Sequence, residues 1–286
     1  MKKLSIKIIK LVLPAFLLLI VTANAQKLPN KQETGLRSPG NIRTDGSATE
    51  WGGQFAAYNK STRLFYTLSN NDDNLYLTVQ VTDSANIQKI ISHGLTFTAN
   101  GSAKKNDKQY VAITFPVFKT FGDYRSISRN VAYNPAIFLT DPVAIKRVTD
   151  SLVYAMNSQI ITKSNEFSVT GISPGTDTTL KIDNQTGIKA IGLFENKNTY
   201  TLEFAIPVKY FGGHADKLSY NIKINGTPDK DTPHIVTTSR IVTVSEQDLM
   251  KINQEVMRIN SMHRQIPAID EPIDFWGEYT LAKSIR

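Results

Sequence analysis

From about Asn41 onward, apolar and polar residues alternate along the chain with a period of two. In "NLYLTVQVTD", Leu75, Leu77, Val79 and Val81 fall on one face and Tyr76, Thr78, Gln80 and Thr82 on the other, the pattern of a strand with one buried and one wet face. The alternation recurs in "TRLFYTLS", "GLTFTA", "YVAITF", "YTLEFAIP" and "SYNIKING", and "SNNDDN", "ANGSAKKND" and "FENKN" supply turns between strands. Many short strands joined by tight turns predict an all-β fold, a two-sheet antiparallel sandwich. A parallel sheet would need a helix between most strands, and these linkers are too short for that.

Two stretches switch to helical spacing. Asp141-Pro142 is a helix start, after which Ile145, Val148, Leu152 and either Ala155 or Met156 share a face. Ser245 to Asp248 forms a capping box ahead of Leu249, Ile252, Val256 and Ile259, with Met250 and Met257 widening the stripe. Both helices are expected to be insertions that bury their stripes on the sandwich; the methionine-bearing one is also suited to docking a partner. Between Phe115 and Phe138 the chain is rich in aromatics and arginine without a clean period, and it reads as a long irregular loop. Long loops of this kind often carry function. Tyr124, Arg125, Arg129 and Tyr133 are therefore the candidate ligand-binding residues, as stacking faces and donors to a polar ligand. The bland alternative has Phe115, Phe118, Phe121 and Phe138 pinning the loop to the core.

The N-terminus sets the expected compartment. Lys2, Lys3, Lys7 and Lys10 precede an apolar run from Leu11 to Val21, and Ala23-Asn24-Ala25 offers a cleavage site. That is the pattern of a secretory signal peptide, too short to span a bilayer. The expected organisation is residues 1–25 as signal peptide, 26–40 as a flexible leader and 41–286 as one sandwich domain, periplasmic or secreted, with no later transmembrane segment. Four of the eight formal positive charges leave with the signal peptide, and the weak remaining surplus is spread out, so nucleic acid is not an expected partner. The chain has no cysteine, hence no disulfide framework or thiol nucleophile.

Little else reads as chemistry. His93, His214, His234 and His263 show no metal-ligand spacing, and no nucleophile elbow, phosphate loop or dinucleotide turn is present. The expectation is a non-enzyme. Asp72, Asp73 and Asp83 are candidate oxygen ligands for a structural calcium, with hairpin-turn chemistry as the alternative. Asn59, Asn100, Asn184 and Asn225 each begin an Asn-x-Ser/Thr triplet, expected in polar surface loops.

Taken in order, "NIRTDGSATEWGG", "DDNLYLTVQVTD", "TYTLEFAIPVKYFG" and "FWGEYTLA" resemble the opening turn, a central strand, a late strand and the closing strand of family 9 carbohydrate-binding modules. The chain is similar to longer exported relatives typical of Bacteroidetes. The resemblance implies an antiparallel sandwich that grips sugar chain ends between two tryptophans and holds calcium. Ile87 to Ser92 and "PAIDEPID", where the clamp tryptophans would stand, contain none, and His93, Gly94 and Thr96 replace the usual acids. Trp51 and Trp276 are thus expected to be packing residues, Trp51 closing one end of the sandwich. The expected function is an exported binding protein for a carbohydrate or similar polar ligand. The alternatives are an envelope structural or protein-interaction module and, more remotely, a haem-binding sandwich.

Overall fold

The alternating segments all form strands, and their registers place the apolar residues between two sheets. The computed structural model describes residues 28–102, 110–172, 178–211, 216–227 and 271–284. The signal-peptide segment, the stretch from Ser245 with Met250 and Met257, and His214, His234 and His263 lie outside the described residues.

One sheet runs β1 (Ala57–Asn59), β2 (Leu64–Asn70), β3 (Asn74–Val81), β9 (Thr199–Pro207) and β8 (Lys189–Asn196). The other runs β11 (Ile273–Thr280), β10 (Lys217–Ile224), β4 (Leu95–Asn100), β5 (Tyr110–Phe115), β6 (Glu166–Thr170) and β7 (Thr178–Lys181). Every named pair is antiparallel. The expected all-β sandwich is therefore the observed fold. Leu68, Leu77, Val79, Leu202 and Phe204 from the first sheet meet Phe97, Ile113, Val169, Ile222 and Tyr279 from the second in one continuous core.

Among the described residues, three α-helices leave from one end of this sandwich. α1 (Ser84–His93) joins the end of β3 to the start of β4; α2 (Phe121–Ala132) and α3 (Pro142–Lys163) lie between β5 and β6. They contribute Ile87, Ile90, Ile91, Ile127, Val131, Met156 and Ile160 to the core. A two-sheet stack is open at its ends, and buried isoleucines at helical spacing close this one. α3 begins at Asp141 as expected, and the buried end of its stripe is Met156 and Ile160. Ile145, Val148 and Leu152, nearer its start, are only half-buried.

Three expectations are corrected. The 28–40 part of the leader is not a loose tail. Gln32 is buried, its backbone N donates to the Tyr66 hydroxyl at 2.9 Å, and its side chain exchanges two hydrogen bonds with the backbone of Leu68. Tyr66 and Tyr220 meet hydroxyl to hydroxyl at 2.9 Å and Tyr220 donates back to Gln32 O. The two hydroxyls sit between facing sheets, where an unpartnered polar group would be costly, and the strap satisfies both. Second, the solvent side of the first sheet is not uniformly wet: Thr78, Thr201 and Glu203 are buried there, under residues 45–51. Third, Asn59 and Asn100 are buried rather than on surface loops. Their carbonyls, like that of Asn184, accept from the Ser or Thr two residues on, so these triplets act as side-chain turns.

Candidate functional site

The 115–138 stretch is not an irregular loop: it contains a helix with a defined inner and outer side. Asp123 starts α2, its carboxylate accepting from the backbone N and the hydroxyl of Thr120 at 3.0 and 2.9 Å. Ile127 and Val131, four residues apart, point into the core; Arg125 and Arg129, also four apart, are exposed on the outer side. Ser126 donates to Gln159 of α3. At the far end, Lys197 donates to Val131 O at 2.8 Å, placing a cation at the carbonyl end of the helix. Burial pulls the Lys197 amine below its usual value.

The segment after α2 builds a platform. Tyr133 N closes the helix on Arg129 O at 2.9 Å, and Asn134 caps a short turn, Pro135–Ile137, by accepting from Ala136 N. Phe138 N then donates to Pro135 O at 3.0 Å, which folds the chain back. Tyr133 and Phe138 end up 6.0 Å apart with ring planes only 11° from parallel. They are 40% and 71% exposed. Phe138, expected only as a core pin, is on the surface instead. Tyr124, grouped in sequence with the ligand candidates, faces the other way: it is half-buried, 6.1 Å from Phe118, and packs against the core, and burial raises its phenol above the usual value. The structure thus brings together Arg125, Arg129 and Tyr133, adds Phe138, and removes Tyr124.

A second exposed apolar set lies on the outer side of α3, where Val143, Tyr154 and Ile161 are 64%, 78% and 54% exposed. Spacings of eleven and seven residues put all three on one line of the helix.

The acidic candidates do not converge. Asp72 and Asp73 occupy the β2–β3 turn, where Asp72 pairs with Arg37 at 2.7 Å and Asp73 N donates to Asn71 Oδ1. Asp83 caps α1 by accepting from Asn86 N and pairs with Arg63 at 2.9 Å. The eight residues of β3 separate them, roughly 26 Å at strand rise, so one calcium cannot touch all three. Turn and cap chemistry account for their positions, and among the described residues no group of three His, Cys, Asp or Glu side chains is placed to hold a metal ion.

The tryptophans are also placed differently from expectation. Trp51 is half-buried and lies over the outer face of the first sheet, its indole N–H donating to Thr78 Oγ1 at 3.0 Å. Trp276, across from Asn221, is half-buried on the outer face of the second sheet. Neither belongs to the core between the sheets. Beneath Trp51 sits a carboxyl that sequence reasoning missed. Glu203 accepts from Asp45 N at 2.8 Å, Gly46 N at 2.9 Å and the Thr78 hydroxyl at 3.2 Å. Burial pushes it up to about 7; the backbone donors pull it down, and the charges of Glu50 and Asp45 push it further up. At 2% exposure, with its oxygens engaged, Glu203 holds the Asp45-Gly46 turn and has no route to a substrate. An open depression of about 650 Å³ lies along residues 29–36 and Ala56, apart from the platform.

No family model and no curated protein matches the chain. Among solved structures, the chain is similar to a family 9 carbohydrate-binding module from Caldicellulosiruptor kristjanssonii in complex with glucose, at 8% identity and a TM-score of 0.36, over 89% of this chain and 97% of that one. A likeness at that level transfers no ligand, so function has to be argued from the surface itself.

Proposed function

We propose that the chain is an exported, non-catalytic protein that binds carbohydrate on the platform of Tyr133 and Phe138. The observation that carries the reading is the near-parallel, solvent-facing pair itself. Flat aromatic faces complement the C–H faces of pyranose rings, while the tyrosine hydroxyl and nearby guanidinium groups can bond sugar hydroxyls. The pair also stands on a rigid support: a capped helix, two buried residues beneath it and a lysine closing its end. Such a site loses little freedom on binding.

Export is supported by the lysines and short apolar run at the N-terminus, and the described helices include none long and apolar enough to cross a membrane. The non-catalytic part of the reading is supported by Glu203: the carboxyl raised to about 7 is spent on a structural clamp. A glycan array spanning plant, algal and bacterial polysaccharides tests the proposal. Reproducible binding to at least one class is expected, and no binding to any class contradicts it.

A further inference from the structure

We infer that the glycan held by this platform is polyanionic, carrying carboxylates or sulfates that Arg125 and Arg129 engage along α2; the inference rests on the carbohydrate reading above. Arg125, Arg129 and Tyr133 recur every four residues, so they line one side of the helix and its C-cap. The distance along the axis from Arg125 to Tyr133 is roughly 12 Å at helical rise, enough to follow a chain rather than a single ring. The opposite side is spent on Ile127 and Val131 in the core.

Within the segment itself the basic residues, Arg125 and Arg129, outnumber the acids. Between Phe121 and Phe138 the only acid is Asp123, and its carboxylate is turned to Thr120 and Lys163, with a side chain 20% exposed. A neutral sugar would use the rings and offer the guanidinium groups no charge. A uronate or sulfate beside a stacked ring matches both, because the planar guanidinium fork fits two oxygens of an anionic group.

Isothermal titration of the full chain at near-physiological ionic strength decides the matter with paired polymers. Polygalacturonate against fully methyl-esterified pectin isolates carboxylate, and dextran sulfate against dextran isolates sulfate. At least tenfold preference for one anionic member is expected, and its identity separates the two sources. Arg125→Gln/Arg129→Gln should lose about tenfold or more of that affinity with an unchanged melting temperature. Lys189→Gln/Lys209→Gln is the control for diffuse attraction: both residues lie at the opposite end of the sandwich, near the β2–β3 turn, and the change removes the same charge. An equal loss in the two double variants overturns the inference, as does equal affinity within both polymer pairs. Binding of neutral glycans that Tyr133→Ala/Phe138→Ala abolishes, without any anionic preference, overturns the inference and leaves the carbohydrate reading standing. Absence of binding to every glycan overturns both.

Discussion

Glu203 shows how a single residue ties the first sheet to the arm that covers it. Its carboxyl holds the Asp45-Gly46 turn, and Thr78 links it to the Trp51 indole. The unfolded carboxyl titrates near 4.5 and the folded one near 7, so between those values the folded chain keeps a proton that the unfolded chain has released. The stabilisation is complete below 4.5 and is lost as pH rises through 7, with an upper bound of about 3 kcal/mol. Wild-type melting temperature should fall between pH 5 and pH 8, and Glu203→Gln should flatten that fall; a variant that tracks the wild type would refute the assignment. Nothing in "YTLEFAIP" marks this glutamate, because period-two alternation assigns it to a wet face. The arm that covers that face comes from about 150 residues away in sequence. Trp51 is legible as a packing residue, yet which side of the sheet it packs on depends on the same long-range placement.

Among the elements, strands are the most legible. β2, β3, β4, β5, β9 and β10 all stand where alternation predicts them, because an antiparallel strand buried on one face writes its period into the sequence; β11 stands where the resemblance puts a closing strand. α3 is legible from its Asp-Pro start. α1 and α2 escape the sequence reading, although their signals are local: Ile87, Ile90 and Ile91 have helical spacing, and Thr120 with Asp123 is a capping box. In α2 the aromatic and arginine content obscures the pair Ile127 and Val131, which decides the orientation of the helix. That orientation explains why Tyr124 faces inward while Tyr133 and both arginines face out. Ile127→Ala should therefore cost about 2–5 kcal/mol and also weaken glycan binding by loosening the platform, measured by denaturant unfolding and titration in parallel. Loss of stability with binding intact would show that the platform does not depend on this packing.

For the whole molecule, the architecture is a sandwich with one end closed by helices and one inter-sheet contact sealed by the strap at Gln32. The strap reads as flexible in the sequence because its composition is polar and aperiodic. Composition cannot reveal that two buried tyrosine hydroxyls on facing sheets need its backbone. Gln32→Ala removes the two hydrogen bonds that tie the strap to Leu68 and should lower stability by about 2 kcal/mol, with faster proteolysis near residue 32; unchanged stability would restore the loose-leader reading. The ends of the sandwich matter differently. The β2–β3 end carries turns, and the helical end carries exposed rings that the core does not need. The central claim is that Tyr133 and Phe138 are exposed for a ligand. It is tested most directly by titrating wild-type protein and Tyr133→Ala/Phe138→Ala with a glycan the wild type binds, alongside their melting temperatures. The account predicts at least a tenfold loss of affinity with the melting temperature within about 2 °C of wild type; undiminished binding by the variant would contradict it.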